Sequence, residues 1–150
     1  MRGPKAFINL DHLKSNFDMI QKYLNGKRIM AVVKANGYGH GSVPCSLALE
    51  SHGCNFFGVF SIEEGIELRN AGIKSDILVF SALDPTSLNE AVKNNLILNI
   101  SDISHLNALI DFHKKTNNAP RIHIKVDTGM TRLGLGFDPF KQVLELLIKH

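Results

Sequence analysis

Lys34 is the residue most suited to chemistry. It closes the apolar run Ala31-Val32-Val33 and precedes Ala35-Asn36, so its stem is expected in a dry place with its amine at the carboxyl end of a strand. In parallel α/β architectures, ligands bind at those ends. Burial disfavours the ammonium and draws a lysine down from a pKa of about 10.4, freeing an amine able to form a Schiff base. The competing reading is a strand-end lysine that snorkels to solvent. The next residues favour the first, because Asn36-Gly37-Tyr38-Gly39-His40-Gly41 leads into Ser42. Backbone N–H groups in such a turn can approach an anion, a helix N-terminus adds its positive dipole end, and the Tyr38 hydroxyl can donate to a phosphate. A lysine and a phosphate cradle on one turn suit a cofactor carrying both an aldehyde and a phosphate. The turn alone is equally a tight strand-to-helix connection, with neither dinucleotide nor Walker spacing.

A second constellation, Lys125-Val126-Asp127-Thr128-Gly129-Met130-Thr131-Arg132-Leu133-Gly134, ends another apolar run. Strand alternation puts His123 and Lys125 on one face and Ile122, Ile124 and Val126 on the other. A lysine on the inner face of a barrel strand must pair, neutralise or be chemically modified, because an isolated buried cation is costly. Arg132 offers a planar fork for a carboxylate or a phenolic oxygen. A surface loop with a solvated arginine fits the same residues.

Other chemistries lack support. The seven histidines have no H-x-x-x-H or Cys/His spacing, so no metal site is expected, and no G-x-S-x-G is present. Cys45 and Cys54 sit among apolar neighbours and read as buried thiols. The net charge of +3 is a mild excess, with Lys27-Arg28 and Lys114-Lys115 as isolated doublets, and Trp is absent. Neither a nucleic-acid footprint nor an apolar stretch of membrane-spanning length is visible. The start, Met1 to Asn9, lacks a signal-peptide core, which leaves the cytoplasm as the default.

The elements that position these residues alternate. A strand-like piece, Lys5 to Leu10, is followed by a helix capped by Asp11, with apolar positions Leu13, Phe17, Ile20 and Leu24, closed by Asn25-Gly26. Five units then follow. Their strands are expected at Ile29 to Val33, Phe56 to Phe60, Ile77 to Phe80, Leu96 to Ile100 and Arg121 to Val126. The helices begin near Ser42, at the capping box Ser61-Ile62-Glu63-Glu64, at Asp84-Pro85, at Ser101 or Asp102, and at Asp138. Such alternation implies parallel pairing, as an open doubly wound sheet or a TIM-type (β/α) barrel, and pattern alone does not choose. An open sheet could be complete at this length. A barrel of eight units typically needs about 250 residues, so under that reading residues 1–150 form only its N-terminal part, about five βα units.

The run Ala31-Val32-Val33-Lys34-Ala35-Asn36-Gly37-Tyr38-Gly39-His40-Gly41 closely resembles the cofactor-lysine signature of alanine racemases, and Lys125 to Gly134 resembles that family's second signature. The likeness covers essentially the whole chain, from Phe7-Ile8-Asn9-Leu10-Asp11 onward. It implies a fold type III enzyme dependent on pyridoxal 5'-phosphate (PLP), with a barrel followed by a separate β domain and a head-to-tail homodimer sharing its active sites. By this resemblance Lys34 holds the cofactor and is the base on one face of the substrate, while Tyr38 binds phosphate. Arg132 contacts the cofactor oxygen and the substrate carboxylate, and Lys125 matches a position carbamylated in many members. The implied activity interconverts L- and D-alanine, supplying D-alanine for peptidoglycan. Racemisation needs a second base, which in the family is a tyrosine of the partner's β domain, and neither Tyr23 nor Tyr38 has a matching context. These 150 residues alone are therefore expected to be inactive and to bind PLP weakly. Alternatives are a broad-specificity, serine or lysine racemase, a related PLP barrel decarboxylase, and a non-enzymatic PLP-binding protein.

Overall fold

The computed structural model describes residues 5–149. The readings placed on Met1 to Pro4 and on His150 fall outside them. The chain divides into two compact units, Met1–Ile77 and Leu78–His150.

In the first unit, residues 5–9 form no strand, correcting the expectation for Lys5 to Leu10, and helix α1 spans Leu10–Tyr23. Its cap is Asn9 rather than Asp11. The Asn9 side chain accepts from the N–H groups of Asp11 at 2.9 Å and His12 at 3.1 Å, filling two of the donors a helix start leaves unpaired. Asp11 falls in the first turn, where a negative charge suits the helix dipole, and pairs with Lys14. Phe17 is the buried anchor of α1, and Asn25-Gly26 closes it with positive φ at both residues.

Strands β1 (Ala31–Val32), β2 (Phe56–Val59) and β3 (Asp76–Val79) form a sheet in that order. β1 pairs parallel to β2 with Ala31 opposite Phe57 and Val32 opposite Gly58, and Val33 N–H extends the ladder to Gly58 O. The remaining elements of this unit are α2 (Lys34–Tyr38), α3 (Ser42–Ser51) and α4 (Ile62–Asn70). Phe57, Val59, Leu68, Ile73 and Ile77 are almost wholly buried, and Cys45 and Cys54 are buried free thiols as expected.

Two charged side chains stitch this unit together. Arg28 donates from Nε to Asn55 Oδ1 at 2.9 Å and from Nη2 to Asn55 O and Asp76 Oδ2, both at 2.7 Å, with its guanidinium 4.5 Å from the Phe56 ring centroid. One planar fork thus ties the amino ends of β2 and β3. Glu50, at the end of α3, accepts from Lys74 N, Ser75 N and Ser75 Oγ. Desolvation opposes its charge, but the Ser75 hydroxyl and the two amides together hold its carboxyl below the usual range.

The second unit carries β4 (Leu98–Ile100) parallel to β5 (Ile122–Ile124), with Leu98, Asn99 and Ile100 opposite Ile122, His123 and Ile124. Leu78, in β3, forms a parallel bridge with Ile97. A 3-10 turn, Pro85–Ser87, capped by Asp84, runs into α5 (Leu88–Lys93). α6 (Ile103–Thr116) starts at the cap Asp102 and α7 is Phe137–Lys149.

Strands joined through helices and laid side by side in chain order are a barrel wall. A doubly wound sheet instead places later strands on both sides of the first. The fold is the N-terminal part of a TIM-type barrel.

Candidate active site

Lys34 stands where β1 ends, half-buried, and the backbone after it does something the sequence did not announce. Ala35 (φ 51°, ψ 51°), Asn36 (53°, 45°) and Gly37 (60°, 39°) are left-handed, and Tyr38 follows at φ 55°. Residues with a Cβ pay roughly 1–2 kcal/mol each for that conformation, so α2 is a strained turn of inverted hand. It is closed by its own amides: Gly37 N–H donates to Val33 O at 2.8 Å, Gly39 to Ala35 O at 3.2 Å, His40 to Gly37 O at 3.0 Å and Gly41 to Asn36 O at 2.9 Å. Ser42 N–H, at the start of α3, donates to Asn36 Oδ1 at 3.0 Å.

This corrects the expectation of a backbone phosphate cradle. The amides of Gly37, Gly39, His40, Gly41 and Ser42 are spent on the turn, and the glycines serve its handedness and packing. At Gly41, φ is 93° and an added Cβ would lie 2.8 Å from Pro44 Cγ.

The turn also brings Lys34 and Tyr38 together, with Lys34 Nζ 6.0 Å from the Tyr38 ring centroid. Among the described residues Lys34 Nζ makes no hydrogen bond or ion pair, and most of Tyr38 is exposed. Anchoring comes from α4. Glu64 Oε1 accepts Ala35 N–H at 2.7 Å, and Glu64 Oε2 accepts Phe60 N–H at 2.6 Å. The capping box is therefore half realised: Ser61 Oγ accepts Glu64 N–H at 3.4 Å, while the Glu64 carboxylate passes its own helix cap and bonds to the chain following β1 and β2.

Lys125 and Arg132 belong to the other unit. Lys125 is half-buried, and its backbone is held by N–H donation to Ile100 O and by acceptance from Leu135 N–H, both at 2.8 Å. The clean alternation expected for β5 is absent. Ile122, Ile124 and Lys125 are half-buried, whereas His123 and Val126 are exposed, because among the described strands β5 pairs with β4 alone. Val126 bridges Leu135, so residues 127–134 form a closed loop.

Inside that loop Asp127 Oδ1 accepts from Gly129 N and Thr131 N, both at 3.0 Å. The Thr131 amide first, then the Gly129 amide, with the charge of Lys125 assisting, hold the Asp127 carboxyl below its usual range. Arg132 projects from the loop, exposed and, among the described residues, without a hydrogen-bond or ion-pair partner. No cluster of metal-ligating side chains occurs among the described residues. Among the described residues, no helix is long and apolar enough to cross a membrane.

A family profile described as "Alanine racemase, N-terminal domain" matches residues 8–150, which include both motifs. The chain belongs to the alanine racemase N-terminal domain family. That family depends on PLP. Alanine racemase 1 of Caldanaerobacter subterraneus subsp. tengcongensis is 38% identical over 97% of this chain. Among solved structures, alanine racemase from E. faecalis matches 95% of the chain with a TM-score of 0.85 at 33% identity, covering 39% of its own length. A histidine racemase from Leuconostoc mesenteroides subsp. sake matches 93% of the chain with a TM-score of 0.87 at 25% identity. The chain spans about two fifths of the curated relatives it matches, 38% of the first.

The alanine racemase motifs fit PLP in part. An unpaired, half-buried amine beside a phenol suits an aldehyde, whereas this turn offers a phosphate little beyond the Tyr38 hydroxyl. The sequence singled out Lys34, Tyr38, Lys125 and Arg132. It missed Glu64 and Asp127 as organisers, since a capping pattern marks Glu64 for local work only.

Proposed function

We propose that these residues are the cofactor-lysine portion of a PLP-dependent racemase that interconverts L- and D-alanine. The supporting observation is Lys34 at a strand's carboxyl end, its amine unpaired among the described residues and facing Tyr38, within the family's motif. In this reading Lys34 Nζ would hold PLP before substrate arrives and, once the amino acid's nitrogen has replaced it on the cofactor, would be the free amine that takes or returns the Cα proton on one face. Tyr38 donates its hydroxyl to the phosphate. Arg132, free to offer its fork, binds the substrate carboxylate and the cofactor's phenolic oxygen. A carbamate on Lys125 would replace its cation with an anion able to orient Arg132. When bound, PLP supplies an electron sink for the charge left at Cα.

The rest of the barrel and a β domain complete the enzyme, which acts as a cytoplasmic homodimer and supplies D-alanine for peptidoglycan. One neighbour of similar fold is named a histidine racemase, so the choice of alanine is supported by the names of the curated relatives.

Incubation with PLP, borohydride reduction and peptide mapping tests the assignment. The pyridoxyl group is expected at Lys34 in preference to the other lysines and to be lost from that peptide in K34A. Label spread evenly over surface lysines would reject the reading.

A further inference from the structure

Glu64 differs from two other first-turn acids, Asp11 and Glu90. Asp11 and Glu90 make ion pairs on their own helices. Glu64 instead spends one oxygen on Phe60, the residue after β2, and the other on Ala35, three residues past β1 and 29 positions away. A carboxylate that only capped α4 would return to Ser61 N–H and have no need of Ala35.

Ala35 is where the chain passes from strand to inverted turn. Its N–H lies just beyond the β1 ladder, and Glu64 is its acceptor. Left unpaired, that group would be satisfied by other backbone conformations, most of them right-handed and less strained. A charge-assisted hydrogen bond at this peptide therefore selects the left-handed exit. The same carboxylate fixes the residue following β2, so the Lys34 backbone is referenced to the neighbouring strand as well as to its own.

We propose that Glu64 is a positioning residue for Lys34: by joining Ala35 N–H to Phe60 N–H, it holds the lysine's amine at one address at the strand ends. The inference rests on the assignment of Lys34 as the cofactor lysine. It adds that the lysine's reactivity depends on a side chain that touches neither PLP nor substrate.

The test compares wild type, E64Q and E64D within the 150-residue chain. Glutamine keeps the size but offers one acceptor oxygen, and its amide group opposes the second N–H. Amide hydrogen exchange at Ala35 and Phe60 reads the clamp. Borohydride-trapped PLP at Lys34, as a ratio to label on Lys114 and Lys115, reads positioning. E64Q is expected to speed exchange at one or both amides and to lower the Lys34 ratio about tenfold, the scale of one lost charge-assisted bond. E64D, shorter by one methylene but still charged, is expected to fall between the two.

A folded E64Q with an unchanged Lys34 ratio overturns the proposal. If E64Q does not fold, wild type decides alone, because fast exchange at Ala35 would mean the clamp does not hold. If wild type shows slow exchange at both amides yet no preference for Lys34, the clamp stands and the cofactor assignment fails.

Discussion

A Cβ added to Gly134 would stand 2.7 Å from Asp127 N and 3.0 Å from Val126 C, at a φ of 128° that other residues rarely adopt. Backbone cannot retreat as a flexible side-chain tip can, so Gly134→Ala is expected to cost about 1–3 kcal/mol by strain alone. Gly39 makes the control: its φ is 86°, but nothing lies within 4 Å of an added Cβ. Urea unfolding of G134A and G39A should show the larger loss at Gly134, and equal losses would remove the close approach from the explanation. At this scale the sequence was legible where chemistry travels in contiguous motifs, as at Lys34, Tyr38, Lys125 and Arg132. It was silent where a side chain's task depends on backbone it meets only after folding. Glu64 reaches Ala35 because β1 and β2 are adjacent, and Asp127 gathers two amides because Thr131 turns to φ 56°. Neither encounter has a signature in residue type or spacing.

Helices and strands were legible to within a few residues, and their misplacements have physical causes. Asn9 and Asp11 are both good caps and lie two apart, so the α1 periodicity accommodates either. The folded chain uses Asn9. Asn9→Ala is expected to lower stability by about 1 kcal/mol, and Asp11→Ala, which loses an exposed pair, by a few tenths. Thermal unfolding of the two variants should rank them in that order, and the reverse would move the cap to Asp11. The strand expected at Lys5 to Leu10 failed because alternation needs a partner to become a ladder, and Phe7 instead lies 91% exposed. The turn after Lys34 was misread for a different reason. Glycine abundance signals freedom of backbone, not which use the freedom serves, and here the amides close upon themselves.

At the scale of the molecule, the alternation of apolar runs with helical patterns identified parallel α/β architecture, but composition carries no record of strand order. What distinguishes a barrel wall from a doubly wound sheet is the Leu78–Ile97 bridge, which sets the fourth strand beside the third and not beside the first. These residues supply one proposed base, Lys34, and neither of the two tyrosines stands in the setting of the second. Accordingly the 150-residue chain, supplied with PLP and L-alanine, is expected to produce no D-alanine by chiral chromatography. Robust interconversion would require another base within it.

The inverted turn at Ala35 has one more consequence, which concerns stereochemistry. The backbone angles there are the ones a mirror-image residue prefers, so a D-alanine at position 35 would relieve strain that the natural residue bears. The same exchange at Ala48, inside right-handed α3, would impose it. The segment that presents the lysine is thus tolerant of the hand that a right-handed helix such as α3 rejects.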